Sequence, residues 1–408
     1  MSDIPPLLPY EVAQERVLAA VQPLPSEWVR LEEAMGRATR SEIRARRTLP
    51  PWDNSAMDGY AVRAEDTAPG ARLEVVEAIF AGHRPTRVVG PGLCARIMTG
   101  APIPEGADAV EMQERVQLDS GQGLGVITLS QAVAPRTHVR RAGEDARAGE
   151  VLLEAGTLLG IPDAALLWAQ GISEVEVPRR PSVAIVSTGD ELCRPDEAGD
   201  DRIVDTNSLA LALAVRAAGG LPSVLGIARD EPAALERLIE AGLTHDVLLT
   251  SAGVSVGDRD FIRPTLARLG VALDFHGVAI RPGKPLAFGR HGRTLVFGLP
   301  GNPLSSLVTF ELFVRPALRR LLGHPRPLTP FVSGRLDGSL IKKKGLAHFV
   351  RVRAEAREGA LWALPLPTQT SGALRSGVGA THLLHAGMPV ERLESGAAVE
   401  LLPLAWSA

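Results

Sequence analysis

The sequence predicts a multidomain α/β plus β protein, in which a doubly wound α/β domain is joined to smaller β-rich parts. Apolar strand-like runs alternate with helix-like segments after residue 182, which is typical of a parallel sheet covered by helices. Short β-like runs separated by Gly and Pro fill residues 71–134 and 330–405. At 408 residues the chain exceeds one ordinary domain, and about two to four domains are expected.

The N-terminal part predicts a compact β module flanked by helical and extended segments. The expected elements are a short helix over Tyr10–Val21, a second helical patch over 28–48, a polar loop over 49–59 that enters a strand, the β module over 71–134, a helix from Pro162 to Gly171 and a linker over 175–181. The prolines at 50 and 51 argue against a helix that continues into Trp52.

From residue 182 onward, strands and helices alternate with short loops. Strands are predicted at 183–186, 222–228, 246–250, 286–289 and 295–298. Helices are predicted at 205–218, 233–241 and 303–322, the last of them kinked by Pro316. Connections in such a sheet are nearly always right-handed, and parallel strands place their carboxyl ends along one edge. Residues 330–405 then predict a small β-barrel or sandwich.

Composition and charge narrow the class of function. The net charge of −3 argues against a general binder of nucleic acid or of an anionic membrane, although a local basic pocket is compatible with it. The two cysteines, Cys94 and Cys193, lie far apart and indicate a reducing compartment. The chain starts with no basic-then-apolar signal and contains no run of about 20 apolar residues. A cytoplasmic enzyme is the expectation.

Three carboxylates follow strand ends of the predicted sheet and are expected to converge at its carboxyl edge. They are Glu191, Asp230 and Asp260. Carboxylate oxygens suit a hard cation such as Mg²⁺, which binds through one or two carboxylates together with substrate phosphates. Isolated acidic residues near turns more often face solvent or cap helices than bind a cation. Each of the three carboxylates could have one of these ordinary roles instead.

Groups that could bind an anion lie beside these carboxylates in the predicted crevice. Ser251, Gly253 and Ser255 belong to a loop whose hydroxyls and backbone N–H groups attract phosphate or other oxyanions. Arg281 and Lys284, in the sequence Arg-Pro-Gly-Lys-Pro, add positive charge. Cation ligands and anion ligands together suit a phosphorylated ligand. The chain lacks GxxxxGK[ST] and GxGxxG motifs, which disfavours an ordinary ATPase or a dinucleotide-dependent dehydrogenase.

Several long strings occur together and in order along the chain. They are DNSAMDGYAVR (53–63), IMTGAPIPEGADAVEMQE (97–114), RRAGEDARAGE (140–150), STGDEL (187–192), SAGVSVGDRDF (251–261), RPGKPLAFG (281–289) and GLPGNPLSSLVTFELFVRPAL (298–318). This set resembles the MoeA family, the molybdopterin molybdenumtransferases, which is similar to the E domain of gephyrin. The resemblance is strong over residues 10–320 and weak over 330–408.

The resemblance implies an activity and an assembly. Adenylylated molybdopterin and molybdate would give molybdenum cofactor and AMP, with Mg²⁺ or a similar divalent cation. The protein would be an elongated homodimer, and the adenylyltransferase and acceptor molybdoenzymes are expected partners. Four parts are implied: a linker and dimer domain over 1–50 and 135–177, an inserted β module over 51–134, an α/β molybdopterin-binding domain over 178–326 and a C-terminal β domain over 327–408.

The resemblance also implies roles for individual residues. Glu191, Asp230 and Asp260 would form the cation and pyrophosphate centre, supported by Asp190. Lys284 and Arg281 would bind molybdate or phosphate. The residues implied to contact substrate elsewhere are Asp58 and Thr99 from the partner subunit, Pro300, Gly301 and Pro303 at the pocket floor, Ser371 and Arg351 from the last domain, and the weaker candidate Asp145.

The chain departs from the usual family pattern at several positions. Ala252 stands where Gly is common, and Arg281 stands where Lys is common, so the contact of a planar guanidinium is expected to differ. Two other function classes stay open. One is a non-catalytic molybdopterin-binding scaffold, and the other is the adenylyltransferase that precedes molybdenum insertion, because the α/β domain is shared with that enzyme.

Overall fold

The structure is a computed structural model, which describes residues 7–119, 124–229, 231–252 and 261–406. The chain forms two compact units. Unit 1 comprises Met1–Arg40, Gly156–Ile161 and Glu174–Ala408, and unit 2 comprises Ser41–Ala155 and Pro162–Ser173. Among the described residues, no helix has both the length and the apolar composition that crossing a bilayer requires.

Unit 2 is built around a mixed six-stranded sheet, as the Gly- and Pro-punctuated β pattern predicts. In spatial order its strands are Ala109–Met112, Gly59–Val62, Leu93–Ile97, Arg72–Ile79, Val126–Leu129 and Val116–Asp119. Apolar side chains of these strands form two buried clusters. Two short ladders join distant segments: Asn54–Ser55 pairs with Val139–Arg140, and Ile43–Arg44 pairs with Val151–Leu153. The helix Ile161–Ala169 confirms the one expected near Pro162.

The N-terminal segment of unit 1 differs in part from expectation. The helix Tyr10–Ala19 is present and buries Tyr10, Ala13 and Val17. The helical patch expected over 28–48 is wrong for most of its length: a strand, Ser26–Arg30, precedes a single helical turn, Leu31–Ala34. That strand pairs antiparallel with Glu174–Pro178, so the expected linker is also a strand. The partners lie far apart in sequence, and local patterns therefore could not reveal their pairing.

The centre of unit 1 is a six-stranded α/β sheet. Its order is Leu221–Ala228, Ser182–Thr188, Val247–Ser251, Thr294–Leu299, Ala287–His291 and Ala272–His276. The first four strands are parallel to one another, and Ala287–His291 runs antiparallel to both of its neighbours, so that Ala272–His276 again runs in the direction of the first four. Alternate side chains enter two buried clusters: Val183 and Ile185 pack with the helix Thr206–Ala217, and Ala184 and Val186 with the helix Pro232–Gly242. Helices on both faces confirm the doubly wound prediction.

The last long helical segment changes geometry ahead of its proline. An α-helix over Pro303–Thr309 passes into a π turn over Phe310–Val314 and then into an α-helix over Arg315–Leu321. Pro316 has no N–H to donate to the carbonyl of Leu312. The side-chain amide of Gln14 donates to that carbonyl instead, at 2.7 Å. The distortion expected at Pro316 is therefore a widened turn, and the first helix supplies the missing hydrogen bond.

The C-terminal part closes into a barrel. Five strands pair in a ring: Ala347–Arg357, Ala360–Pro365, Val332–Leu336, Ala398–Pro403 and His382–Ala386. A sixth, Ile280–Arg281, adds in parallel to Ala347–Arg357. A small ladder joins Leu340–Ile341 to Arg392–Leu393. Of the two architectures expected, barrel or sandwich, the barrel is confirmed.

Candidate functional site

A cavity of about 620 Å³ opens at the carboxyl edge of the α/β sheet. Its wall comes from residues that follow the ends of three neighbouring parallel strands, together with one loop of the barrel. The polar or conformationally special members are Thr188, Glu191, Asp205, Thr206, Asn207, Ser251, Ala252, Pro285, Pro300, Gly301, Asn302, Pro303, Ser305 and Gly372. The carboxyl edge of an open α/β sheet is where ligands bind in such folds.

Glu191 is the predicted carboxylate that the structure places in the cavity wall. It follows the strand Ser182–Thr188 through a turn in which Gly189 has a φ of 143°. A Cβ on Gly189 would lie 2.6 Å and 2.7 Å from the two carboxylate oxygens of Glu191. Only glycine therefore leaves room for this carboxylate to fold back over its own turn. The backbone carbonyl of Glu191 accepts a hydrogen bond from the N–H of Ile203 at 2.8 Å.

Asn207 joins two of the strand ends and was not expected from the sequence. Its side-chain Nδ2 donates to Ser251 Oγ and to the carbonyl of Gly301, each at 2.7 Å. Asp205 caps the helix Thr206–Ala217 by accepting a hydrogen bond from the N–H of Ser208. The only signal that could have identified Asn207 is its place just after that cap, at the carboxyl edge of the sheet.

Ser251, Ala252 and Gly301 form the floor between the two strand ends. Ala252 adopts a φ of 80°, a left-handed conformation that costs an alanine free energy and that glycine adopts freely. A Cβ on Gly301 would lie 3.0 Å from the Cβ of Ala252. Ser306 donates from its hydroxyl to the carbonyl of Pro300. The predicted floor residues Pro300, Gly301 and Pro303 all line the cavity.

A barrel loop closes one side of the cavity. Asn302 Nδ2 donates to Ser371 Oγ at 3.1 Å, and the N–H of Leu304 donates to the carbonyl of Ser371 at 3.0 Å. Arg351, which the resemblance places against the substrate, is fully buried instead. Its guanidinium donates to the carbonyls of Ser376, Thr368 and Thr370 at 3.0, 3.5 and 3.5 Å. In this structure it holds the loop that carries Ser371.

Arg281 and Lys284 are exposed and lie close in sequence to the cavity wall, where Pro285 contributes directly. Arg281 pairs in register with His348 of the barrel. Burial, together with the positive charges of Lys342 and Arg281, lowers the pKa of His348 to about 4. His348 is therefore neutral at pH 7, and Arg281 keeps its charge without an acidic partner among its described contacts.

Asp58 and Thr99 meet in unit 2, although 41 positions separate them. Asp58 Oδ1 accepts from both the backbone N–H and the hydroxyl of Thr99, at 2.7 Å each. These hydrogen bonds lower the pKa of the Asp58 carboxyl, which is exposed. Asp145 pairs with Arg140 at 2.5 Å.

Several predicted site residues lie outside the part of the chain that the structure describes. They are Asp230, Gly253, Ser255 and Asp260, together with Asp258, for which a turn role was expected. Asp190 is described; its backbone carbonyl accepts from Arg229 at 2.9 Å. Within the described ranges, no three His, Cys, Asp or Glu side chains gather as a metal site.

Three family profiles match the chain and cover most of its length. The MoeA N-terminal region (domain I and II) matches residues 8–171, a probable molybdopterin binding domain matches 184–320, and the MoeA C-terminal region (domain IV) matches 333–404. The cavity described above is lined mainly by residues of the second match, with Gly372 and Leu374 from the third.

Similar proteins extend over nearly the whole chain. The molybdopterin molybdenumtransferase of Haemophilus influenzae is 40% identical over 85% of each chain, and that of Bacillus subtilis is 36% identical over 97% of this chain and 94% of its own. The crystal structure of a MoeA protein from Pyrococcus horikoshii matches with a TM-score of 0.83 and 30% identity, covering 98% of this chain and all of that one. The chain belongs to the MoeA family of molybdopterin molybdenumtransferases.

Proposed function

We propose that the chain inserts molybdenum from molybdate into adenylylated molybdopterin and releases AMP. The observation that carries this proposal is the cavity at the carboxyl edge of the α/β sheet, where the carboxylate of Glu191 lies among hydrogen-bonding groups from neighbouring strand ends. The names of the relatives support transfer of molybdenum to molybdopterin. The adenylylated form of the substrate fits a site that combines a carboxylate with groups suited to phosphate.

The donor chemistry of the cavity fits a divalent cation such as Mg²⁺. Glu191 provides a carboxylate at the cavity wall, and we propose that Asp230 and Asp260 complete an all-oxygen set with it. When bound, such a cation would neutralise charge on the pyrophosphate of the substrate. Asp205 is less suited to this role because its carboxylate is engaged by Ser208, through both the backbone N–H and the hydroxyl.

The other residues of the site would bind and orient the two substrates. The N-terminal end of the helix Thr206–Ala217 lies in the wall and favours negative charge. We propose that Lys284 and Arg281 hold molybdate near the molybdopterin, which replaces a chance encounter by a positioned one. Ser371, held by Asn302, would contact the pterin side of the substrate. The proposal requires no protein nucleophile.

We further propose that the chain works as a cytoplasmic homodimer. The exposed Asp58 carboxylate is oriented by Thr99 and, in this proposal, completes the cavity of the other subunit. The two cysteines are free and buried, which suits a reducing compartment. We also propose that the chain contacts the adenylyltransferase and acceptor molybdoenzymes.

The test incubates the purified chain with adenylylated molybdopterin, molybdate and Mg²⁺ and measures both AMP and active cofactor. We expect Glu191→Gln to lower AMP release by about 100-fold or more, because even residues that only support a metal ligand contribute about 10- to 100-fold. Mn²⁺ binding, followed by its electron paramagnetic resonance, should weaken in parallel. Glu240→Gln, an exposed carboxylate on the helix Pro232–Gly242, is the control and should leave both measurements unchanged.

The same assay separates the competing functions and tests the shared site. Binding of molybdopterin without AMP release would indicate a scaffold, and formation of the adenylylated intermediate from molybdopterin and ATP would indicate the adenylyltransferase. Mixing Glu191→Gln with Asp58→Asn should restore part of the activity, because one site of each mixed dimer would then be intact. Absence of any recovery in a verified mixed dimer would contradict the shared site.

A further inference from the structure

Two neighbouring strands end where the cavity begins. Val247–Ser251 and Thr294–Leu299 run in parallel register up to the pair Ser251 and Leu299. Just past this pair, the N–H of Ala252 donates to the carbonyl of Leu299 at 3.2 Å. The carboxamide of Asn207 links the two strand ends, because its Nδ2 donates to Ser251 on one side and to Gly301 on the other. One side chain thus ties Ser251 to Gly301.

Asn207 is itself held firmly in place. It occupies the second position of the helix Thr206–Ala217, whose start is fixed by the cap from Asp205. The hydroxyl of Ser208 bonds to Asp205 Oδ2 at 2.5 Å and lies 2.9 Å from the hydroxyl of Ser187 on the adjacent strand. The polar contacts therefore link three consecutive strand ends, and Asn207 is the member that reaches the cavity floor.

The other half of the carboxamide points to a role beyond stability. Asn207 Oδ1 is buried and has no hydrogen-bond partner among the described residues. A buried acceptor without a donor costs about 1–3 kcal/mol, so a side chain chosen for stability alone would avoid it. Despite this cost, the side chain donates a hydrogen bond that holds Gly301 against Ala252. The two residues are so close that a Cβ on Gly301 would lie 3.0 Å from the Cβ of Ala252. Small displacements of this floor would change the shape of the cavity.

We propose that Asn207 is a positioning residue for molybdenum insertion, which holds the Ser251 and Gly301 loops at the separation that the bound substrate requires. The inference rests on the proposed function of the cavity. Asn207 touches the loops rather than the reacting atoms, so its effect reaches the substrate through Ser251 and the backbone of Gly301. A shift of about 1 Å in such a support is enough to lower a rate by about 100-fold.

The experiment measures kcat and KM for AMP release, molybdopterin binding and Tm for Asn207→Ala and Asn207→Asp. We expect kcat/KM to fall by about 10- to 100-fold in Asn207→Ala. The kcat/KM of Asn207→Asp should be lower still, because a carboxylate cannot donate to the Gly301 carbonyl and adds negative charge to an anion site. Combined with Ser251→Ala, the Asn207→Ala effect should be smaller than in the parent chain, since both changes break the same contact.

A matched control is Gln170→Leu, which alters another buried carboxamide with one unpartnered atom, outside the cavity wall. It should lower Tm without changing kcat/KM. If Asn207→Ala behaves like this control, with kcat/KM within threefold of the parent, the positioning role is wrong. If the parent binds molybdopterin but releases no AMP, the proposed function fails, and the inference is then decided by whether Asn207→Ala weakens binding at least tenfold. Should Asn207→Ala not fold, Asn207→Asp and Ser251→Ala decide it.

Discussion

Two regions of unit 1 bury basic side chains in opposite ways. On the helical segment Pro303–Leu321, Arg315 is buried against Glu311, whose two oxygens accept from Nε and Nη2 at 2.7 Å each. In the barrel, Arg351, Lys342 and His348 are buried without an acidic partner within hydrogen-bond distance among the described residues. Backbone carbonyls take that place: Lys342 Nζ donates to Leu346 at 2.9 Å and to Met388 at 3.4 Å.

The difference separates a structural ion pair from a region that stays positive. The helical pair is neutral overall, because the charges of Arg315 and Glu311 offset each other. In the barrel, burial lowers the pKa of Lys342, of Arg351 and of His348, which shows that the charged forms are costly there. His348 lies near enough to Lys342 and Arg281 for their positive charges to help lower its pKa. The positive charges of Lys342 and Arg281, which both act on His348, suit the binding of an oxyanion nearby.

The largest effect is expected from breaking the helical pair. Glu311→Ala leaves the Arg315 guanidinium buried without its carboxylate, and we expect the free energy of unfolding to fall by about 3–5 kcal/mol. Urea denaturation measures this change. Glu236→Ala removes a carboxylate from an exposed pair with Arg268 and should cost less than about 1 kcal/mol. Equal losses in the two variants would contradict the contrast drawn here.

The pH dependence of stability tests the barrel side. The folded pKa of His348 is about 4, below its ordinary value of 6.5. Between these values the unfolded chain binds a proton that the folded chain does not, so stability is full above pH 6.5 and declines as the pH falls towards 4. The loss from this residue is on the order of 3 kcal/mol.

Urea denaturation at pH 7 and at pH 4.5 measures this loss. His348→Gln should remove a corresponding part of the difference between the two pH values. His83→Gln replaces an exposed imidazole and should leave the difference unchanged. A parent chain and His348→Gln with the same pH dependence would show that His348 titrates normally.

The smallest effect is expected from Arg351→Met, which keeps the apolar stem but removes the guanidinium. Its hydrogen bonds to backbone carbonyls are lost, but so is the cost of burying Nη1, which has no hydrogen-bond partner among the described residues. We expect a net loss of about 1–3 kcal/mol. Hydrogen exchange should show weaker protection of residues 366–376, and KM should rise as Ser371 loses its place.

Arg353→Met, an exposed position on the same strand, provides the control. Its stability should stay within about 0.5 kcal/mol of the parent. If protection of residues 366–376 is unchanged in Arg351→Met, then Gln369, which bonds to the Arg351 backbone in both directions, holds that loop instead.

Local signals in the sequence predict the parts of the fold that depend on neighbours in the chain. The alternation of strands and helices, and the cap at Asp205, are examples. The strand Ser26–Arg30 could not be predicted, because its partner Glu174–Pro178 lies far along the chain. The same holds for Gln14, whose contact with Leu312 spans 298 positions.

Some site residues could likewise be predicted from the sequence, whereas others depend on contacts between distant segments. The position of Glu191 after a strand end placed it at the cavity, and the Pro300 and Gly301 turn was expected at its floor. Asn207 carries no motif, since its role appears only when two separate loops meet its carboxamide. For Arg351, the family resemblance implied a contact with the substrate, but burial inside the barrel decides its contacts. Charge can be read from a sequence, whereas its burial depends on distant packing.

The two-residue strand Ile280–Arg281 has a mechanical consequence. It leaves the α/β region to pair with Ala347–Arg357, and residues of both parts, such as Phe297 and Phe349, belong to one apolar cluster. The barrel and the α/β sheet are thus joined by strand pairing and by a shared core, and not by a linker alone. The two should therefore unfold in a single cooperative step. A chain truncated before the barrel would expose the apolar residues of this shared cluster. Because Arg281 itself belongs to the strand that pairs with the barrel, any movement of the barrel relative to the sheet would move this cation as well.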